Sequence, residues 1–235
     1  MSLKGKTIVV TGGFGALGRV VAEQAVARGA SVAVIDHAAA PPAGLAERLG
    51  ANALVLGAVD LSSSESAKKA MAAVEDRFGR IDALLNIAGG FVWEKLAEGQ
   101  GQDAWDRMFA INLKTALNAS LAALPHLMAS GAGRIVNVGA QPGNKAAEGM
   151  APYAASKAAV HRLTESLAEE LKLHGVTVNA VLPSIIDTLA NRASMPDAHF
   201  DRWVAPADLA AVMLFLASDE ARAVTGALIP VSGRI

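Results

Sequence analysis

Short runs of apolar, often β-branched residues alternate along the chain with longer segments in which alanine and other apolar residues recur at helical spacing. We interpret seven runs as strands: TIVVTG, SVAVID, ALVLGAVD, IDALLNIAG, GRIVNVGA, GVTVNAVLP and GALIPVSG. They are apolar throughout rather than alternating with polar residues, which is typical of parallel strands buried on both faces. The pattern predicts one α/β domain over residues 1–235, a doubly wound seven-stranded parallel sheet with helices on both faces.

The helical spacing predicts helices at about 16–28, 64–78, 103–129, 152–173 and 206–217. Pro152 suits the first turn of its helix, and Gly175 suits a stop. The segment at about 184–205 has weak periodicity and follows the sixth strand. Because ligands bind at the carboxyl ends of strands in such sheets, we interpret it as a substrate loop, with a surface excursion as the alternative.

Composition narrows the class of partner. The 235 residues are 52% hydrophobic with a mean hydropathy of +0.34, enough for a large core. The 21 basic and 22 acidic residues contain no polybasic run, so we expect a small-molecule substrate and neither nucleic acid nor membrane as a partner. There is no cysteine, and the five histidines lack metal-ligand spacing, so we expect no metal site.

The chain shows no signal-peptide pattern and no apolar stretch near the ~20 residues that span a bilayer. We therefore expect a cytoplasmic protein.

A glycine-rich turn follows the first strand in TGGFGALG. Gly13, Gly15 and Gly18 have the G-x-G-x-x-G spacing, which lets the backbone approach a pyrophosphate and directs a helix N-terminus at it. Asp36 follows at the end of the second strand, where a carboxylate can bind an adenosine ribose. Together they predict a Rossmann dinucleotide site, with a turn that binds no nucleotide as the alternative.

The charge of Asp36 predicts the cofactor. A carboxylate there repels the 2′-phosphate of NADP, and neither His37 nor the turn supplies a dependable cation, so NAD(H) is favoured. Asp60, which ends the third run, is a candidate for the adenine amino group or for a helix cap.

Tyr153 is the only tyrosine, and Lys157 follows it at helical spacing. The two side chains share one helix face, where an ammonium stabilises a phenolate and brings the pKa of the phenol closer to neutrality. Such a pair can transfer protons. A chance tyrosine beside a solvated lysine is the alternative.

The order and spacing of TGGFGALG, NIAGG, INL, YAASK and LPSIIDT resemble the short-chain dehydrogenase/reductase family over essentially the whole chain. The resemblance implies that Tyr153 is the proton donor and that Lys157 lowers its pKa and binds the nicotinamide ribose. It implies that Asn112 holds a proton-relay water and that Thr188 contacts the carboxamide. The predicted cofactor contacts are Gly12, Gly13, Phe14, Gly15, Ala16, Leu17, Gly18, Asp36, Asp60, Leu61, Asn86, Ala88, Gly89, Tyr153, Lys157, Pro183, Ile186 and Thr188.

The chain departs from the family pattern at Ala16, at Ser184 and, most consequentially, at Ala140. The family usually has serine at the last position, where its hydroxyl binds the substrate carbonyl, and alanine has no such donor. The dihydropteridine reductase branch, which the chain resembles in GGFGALG, VGA, GMAPYAASKAAVH and the stretch after AVLP, also has alanine there and prefers NADH. That branch lacks the asparagine at position 112, which this chain keeps.

The sequence therefore predicts an NADH-dependent reductase of a quinonoid dihydropteridine-like substrate. Its predicted substrate contacts are Ala140, Gln141, Phe91, Trp93 and Tyr153, with Phe91 and Trp93 either stacking on a planar ring or covering the sheet edge. A general carbonyl reductase, with Gln141 or Asn144 replacing the serine, and a non-catalytic NAD-binding sensor remain alternatives. By the same resemblance, we expect a homodimer or homotetramer.

Overall fold

A computed structural model of the protein describes residues 1–98 and 101–235. Within these ranges the strands are β1 (Thr7–Thr11), β2 (Ser31–Ile35), β3 (Ala53–Leu56), β4 (Ala83–Asn86), β5 (Arg134–Val138), β6 (Thr177–Pro183) and β7 (Leu228–Val231). They form one parallel sheet in the order β3-β2-β1-β4-β5-β6-β7. The predicted Rossmann fold is confirmed, and its strand order reverses between β1 and β4, where such sheets bind ligands.

The helices cover both faces of this sheet. They are α1 (Ala16–Ala27), α2 (Leu45–Leu49), α3 (Ser64–Phe78), α4 (Gln102–Met108), α5 (Thr115–Ala129), α6 (Ala151–Leu171), α7 (Leu189–Ser194) and α8 (Pro206–Leu216). Helices α1, α2 and α8 pack on one face, and α3, α5 and α6 on the other. Successive residues of one strand reach both layers: Ile8 and Val10 lie in the first core and Val9 in the second.

Local sequence explains where the predicted helices begin and end. Helix α3 has the predicted bounds; Ser63 accepts a hydrogen bond from the backbone of Ser66 at its start, and Gly79 ends it at a φ of 72°. Pro152 lies in the first turn of α6. Gly175, with a φ of 72°, ends the short helical turn Lys172–His174 that follows α6. These ends are confirmed because the capping residues act locally.

The predicted helix 103–129 differs from the structure in its middle. Between α4 and α5 the chain forms a π-helical segment, Phe109–Lys114, instead of a uniform α-helix. The amide of Asn112 bonds outside the helix, and the Thr115 hydroxyl donates to the carbonyl of Ile111 at 2.7 Å. Such segments widen one turn and occur mostly at functional sites.

Two short helices and one strand end also differ from the sequence prediction. Helices α2 and α7 were not predicted, because five or six residues are too few to show a helical period. The third run was predicted as a strand through Asp60, but β3 ends at Leu56. Ala58 has a φ of 55°, which turns the chain out of the sheet.

Candidate active site

A cleft of about 820 Å³ opens at the carboxyl ends of β1, β2 and β4. It lies at the switch point of the sheet, and residues from the glycine-rich turn, the ends of four strands and the 184–205 segment line it. Its lining residues are Gly12, Phe14, Gly15, Ala16, Leu17, Gly18, Asp36, His37, Ala38, Val59, Asp60, Leu61, Ser62, Ile87, Ala88, Gly89, Ala110, Ile111, Thr115, Val138, Ile186 and Thr188. Most predicted cofactor contacts are therefore brought together.

The glycines of the turn serve different purposes. A Cβ on Gly12, whose φ is 64°, would lie 2.8 Å from the Cα of Ala88, and one on Gly18 would collide with the carbonyl of Gly12. Gly13 is not in the cleft lining; a Cβ there would collide with the Val34 side chain. The turn can fold this tightly only because these three positions lack side chains. The backbone at the start of α1 is therefore open to a pyrophosphate.

Asp36 joins the turn to the end of β2. Its carboxylate accepts hydrogen bonds from the backbone of Phe14 at 2.9 Å and of Ala38 at 3.0 Å. The side chain is half-buried and faces the cleft beside the exposed His37. A negative charge thus lies where an adenosine ribose would sit, held by the turn that would hold the pyrophosphate.

Asp60 also lines the cleft but is exposed. Its carboxylate accepts hydrogen bonds from the Ser62 backbone at 2.9 Å and the Ser62 hydroxyl at 2.7 Å, and these bonds lower its pKa. The cap of α3 is Ser63, so Asp60 stabilises the turn before the helix rather than the helix end. Leu61 beside it is buried.

Helix α6 carries the candidate catalytic pair. Lys157 is 6% exposed, and its ammonium donates to the carbonyl of Val138, at the end of β5, at 2.8 Å. Burial lowers the pKa of Lys157 to about 8 and raises the pKa of the half-buried Tyr153 to about 12. Since burial favours the uncharged form of each group, Tyr153 is a phenol at neutral pH and can donate a proton. The prediction that Lys157 brings the pKa of this phenol closer to neutrality is wrong, because burial raises that pKa instead.

Asn112 lies at the back of the site. Its amide oxygen accepts from the Gly90 backbone at 2.9 Å, and its amide nitrogen donates to the Gly90 carbonyl at 3.2 Å and the Ser156 hydroxyl at 2.9 Å. A Cβ on Gly89 would lie 2.5 Å from the Asn112 oxygen and 3.5 Å from the Lys157 nitrogen. Gly89, Asn112 and Lys157 therefore meet within one small volume.

Asn86 is placed differently from the other predicted contacts. It is buried at the end of β4, and its amide donates to Asn137 at 2.8 Å and Ser120 at 3.1 Å. Asn137 in turn donates to Thr164 at 2.8 Å. The side chain thus ties two central strands to α5 and α6, and any contact of Asn86 with a cofactor would have to be made by its backbone.

The predicted substrate contacts other than Tyr153 lie in the segment after β5 and in the segment after β4. Ala140 is 2% exposed, and its methyl group offers no hydrogen bond. The Gln141 amide donates to the Ser232 hydroxyl at 2.7 Å, and Asn144 is exposed. One of the two amide hydrogens of Gln141 is therefore already used and its orientation is fixed by Ser232, which weakens its candidacy as a replacement for a serine.

Phe91 borders Tyr153, the candidate proton donor, and Trp93 lies in the same segment after β4. The Phe91 ring meets that of Tyr153 edge to face at 4.9 Å and is 53% exposed. Trp93 packs over Gly149, and the ammonium of Lys95 lies 5.5 Å from its ring centroid. Phe91 therefore forms the open wall beside the proton donor, whereas Trp93 is held further along that wall.

The 184–205 segment is braced rather than loose. Ile186 and Val204 form a parallel bridge, and Thr188 accepts a hydrogen bond from Asn191 at the start of α7. Arg192 pairs with Asp187 at 2.6 Å and lies 4.8 Å above the Phe200 ring. Ile186 and Thr188 line the cleft, while Pro183 is buried at the end of β6. The segment thus lines the part of the cleft where Thr188 is predicted to contact the nicotinamide carboxamide.

The sequence prediction missed several neighbours of the site, among them Val138, Ser232 and the buried His161. Val138 and Ser232 act through a backbone carbonyl and a distant hydroxyl, for which no sequence pattern exists. Among the described residues, no group of three potential metal ligands comes together, and no helix combines the length and apolarity needed to cross a membrane.

Comparison with known proteins places these features in context. Residues 6–198 match the family described as short chain dehydrogenase. The chain is 35% identical to 3-oxoacyl-acyl-carrier-protein reductase FabG of Vibrio harveyi, over 99% of this chain and 98% of that protein. It is 33% identical to the FabG protein of Escherichia coli strain K12, with the same coverage.

Solved structures of similar proteins have the same fold. Carveol dehydrogenase of Mycobacterium avium in complex with NAD is 29% identical, with a TM-score of 0.84 over 98% of this chain and 97% of that one. A short-chain type dehydrogenase/reductase from Mycobacterium ulcerans is 28% identical, with a TM-score of 0.91 over 100% and 90%. These relatives support the family resemblance and give no support to the dihydropteridine reductase branch.

Proposed function

The chain belongs to the short-chain dehydrogenase family, and on this premise we propose that it is an NADH-dependent reductase of an electron-poor acceptor, such as a quinonoid dihydropteridine. The observation that carries the proposal is Ala140, which puts a methyl group where a donor to a substrate carbonyl is expected. An activated ring depends less on such a donor than a ketone does. The proposal for this substrate class rests on that residue and not on the relatives.

The residues fit a nicotinamide dinucleotide. The tight turn at Gly12 and Gly18 would hold the pyrophosphate, Asp36 the adenosine ribose, and Lys157 and Thr188 the nicotinamide half. When bound, the nicotinamide supplies a hydride. The support for NADH over NADPH is the charge of Asp36 and the NAD bound to the similar carveol dehydrogenase of Mycobacterium avium, whereas the FabG relatives carry names that state no cofactor.

The protein's own part in the reaction is positioning and proton delivery. Tyr153 donates its phenolic proton to the substrate as the hydride arrives, so the substrate gains two electrons and two hydrogens in all. Lys157, in its ammonium form, stabilises the phenolate left behind. The hydrogen bonds of Asn112 to Ser156 and to the Gly90 backbone fix the position of α6 relative to Gly90. The phenolate is then reprotonated from solvent.

A second candidate is a ketone reductase, favoured by the names of the FabG relatives. Under this alternative another donor replaces the serine hydroxyl, although the amide of Gln141 is bound to Ser232. The substrate profile separates the two candidates.

The test compares NADH oxidation with a quinonoid dihydropterin and with a panel of 3-oxoacyl thioesters, ketones and quinones. We expect turnover of the pterin or a quinone by the wild type. The Ala140→Ser variant should gain ketone reduction, since a restored oxyanion donor contributes roughly 10²–10³-fold to kcat. Equal and efficient ketone reduction by both proteins would support the ketone reductase instead.

The Tyr153→Phe variant is the control for chemistry. We expect its turnover to fall by about 10²–10⁴-fold while its affinity for NADH, followed by fluorescence, stays within twofold. No turnover of any substrate by the wild type, with NADH bound, would indicate a sensor.

A further inference from the structure

The segment 139–143 follows β5 and carries both Ala140 and Gln141 on the substrate side. Its backbone leaves the sheet at Gly139, which donates to the carbonyl of Val181 at 2.9 Å, and turns through the short helix Gln141–Gly143. We propose that His161 is a positioning residue that fixes this segment relative to the proton donor. The inference rests on the proposed function, because it concerns the same substrate site.

The imidazole of His161 fills the space beneath the segment. It is 2% exposed and projects from α6, one helical turn after Lys157. A Cβ on Gly139 would lie 2.6 Å from its Nε2 atom, and a Cβ on Gly143 would lie 2.5 Å from its Cε1 atom. Both glycines therefore leave room for one ring, and the segment rests on that ring at both ends.

A hydrogen bond adds direction to this packing. The backbone N–H of Ala140 donates to Nε2 of His161 at 3.4 Å, a long bond between buried groups. An imidazole accepts at Nε2 only when it is neutral and carries its proton on Nδ1. Burial, together with the charges of Arg162 and Lys157, lowers the pKa of His161 to about 4, so the ring remains an acceptor at neutral pH.

The position of this anchor explains its consequence for catalysis. His161 lies on the helix that carries Tyr153, so the substrate segment is held against the same rigid element as the proton donor. On the outer side, Gln141 is bound to Ser232 at 2.7 Å. With no hydroxyl at Ala140 and the Gln141 side chain held by Ser232, the placement of the segment decides how well substrate is oriented.

The experiment compares His161→Leu, which keeps comparable bulk without an acceptor, with His161→Gln, which keeps an acceptor. His174→Gln is the matched control, because His174 is exposed just beyond the same helix. Each protein is measured for amide hydrogen exchange by mass spectrometry, for NADH affinity, and for kcat and KM with the substrate found by the panel.

We expect His161→Leu to speed exchange in peptides covering 139–145 while peptides of β1 and α1 are unchanged. Its KM should rise about tenfold, with a smaller change in kcat and NADH affinity within twofold, because a displaced segment misorients substrate but not cofactor. His161→Gln should recover part of both effects, and His174→Gln should match the wild type.

Two results would overturn the inference. Unchanged exchange and KM in His161→Leu would show that the ring does not fix the segment. Faster exchange throughout the chain with lost NADH binding would show a general packing role. If the wild type reduces nothing in the panel, the proposed function fails, while the exchange data still decide whether His161 holds the segment.

Discussion

Tyr153 and Lys157 show how burial sets the direction of proton transfer. Burial raises the pKa of Tyr153 to about 12, which keeps the phenol protonated and suits it to donate in reduction. Burial also lowers the pKa of Lys157 to about 8, so its ammonium is lost as the pH rises through that value. The charged lysine that stabilises the phenolate is therefore present at neutral pH and absent in alkaline solution.

We predict that kcat/KM for reduction is level at neutral pH and falls above about pH 8, where Lys157 loses its proton. In Lys157→Arg the guanidinium does not titrate in this range, so the fall should move to higher pH even if the rate is lower throughout. A pH–rate profile of both proteins is the measurement. An identical alkaline fall in the variant would assign it to another group.

Asp36 provides a prediction about cofactor choice. Replacing Asp36 with asparagine keeps the shape and one acceptor for the Phe14 backbone but removes the charge. We expect the ratio of NADPH to NADH efficiency to rise roughly 10–150-fold, because a hydrogen bond to a charged group contributes roughly 1.5–3 kcal/mol.

The matched control for this change is Asp60→Asn in the same cleft. Asp60 is bonded to Ser62, so its replacement should leave the ratio within about threefold, by the usual size of surface effects. The measurement is the ratio of kcat/KM with NADPH to that with NADH for each variant. A larger shift in Asp60→Asn than in Asp36→Asn would place the adenosine recognition at Asp60.

At the residue scale, sequence patterns predicted side chains that act at fixed spacing. Gly18 belongs to a local turn and the Tyr153/Lys157 pair to one helix, so their separation along the chain determines their geometry. Asp36 follows β2, which pairs with β1, so it reaches the same edge of the sheet as the turn. His161 could not be predicted in this way. Its contacts with Gly139 and Gly143 join a helix to a segment that precedes it, and a single histidine on an apolar helix face gives no pattern.

Gly13 makes the packing of the glycine-rich turn against β2 testable. A Cβ at this position would collide with Val34 of β2. We predict that Gly13→Ala lowers the free energy of unfolding by about 1–3 kcal/mol, the usual cost of overpacking a core. Denaturant unfolding is the measurement.

The matched double variant separates packing from other causes. When Val34→Ala is added to Gly13→Ala, the double variant should lose less free energy of unfolding than the sum of the two single variants, because the smaller side chain at position 34 leaves room for the new Cβ. Strict additivity would show that Gly13 is needed for a reason other than Val34.

At the element scale, the sequence predicted long elements with repeated apolar positions and missed those whose conformation depends on distant contacts. The helix 64–78 has many residues that agree on one period, and β1 and β2 are continuous apolar runs. The π-helical segment forms because Asn112 bonds to Gly90 and Ser156, which lie far away in sequence. Helix α7 forms where Thr188 caps it within a braced segment.

The whole molecule has an exposed apolar stripe that bears on its assembly. On α5, Leu121 is 52% exposed and Met128 is 36% exposed, seven residues apart on one face. The family resemblance predicts that the long helices pair with those of a second copy. An exposed apolar face on one of these helices agrees with that prediction.

We predict that the protein is a dimer or tetramer and that Leu121→Lys shifts it toward monomer, because burying an unpaired charge in an interface is costly. Leu173→Lys is the control, since Leu173 is 91% exposed beyond the end of α6. Light scattering after size exclusion gives the mass. A wild-type monomer, or equal effects of both changes, would contradict the prediction.

The fold of the whole molecule was predictable because its strands and helices alternate without interruption, and right-handed crossovers then leave few topologies. The way in which the site is assembled was less predictable from the sequence. The ends of β4, β5 and β6 bring together segments separated by many residues, and their register decides which backbone groups, such as the Val138 carbonyl, face Lys157.

The presence of a single tyrosine gives the molecule a built-in optical probe. The ultraviolet difference spectrum of a phenolate differs from that of a phenol, and none of the three tryptophans ionises, so an alkaline titration of the whole protein reports on Tyr153 alone. No label or substrate is needed. The same titration with NADH, or after replacement of His161 or Lys157, would show how each of these groups changes the pKa of Tyr153.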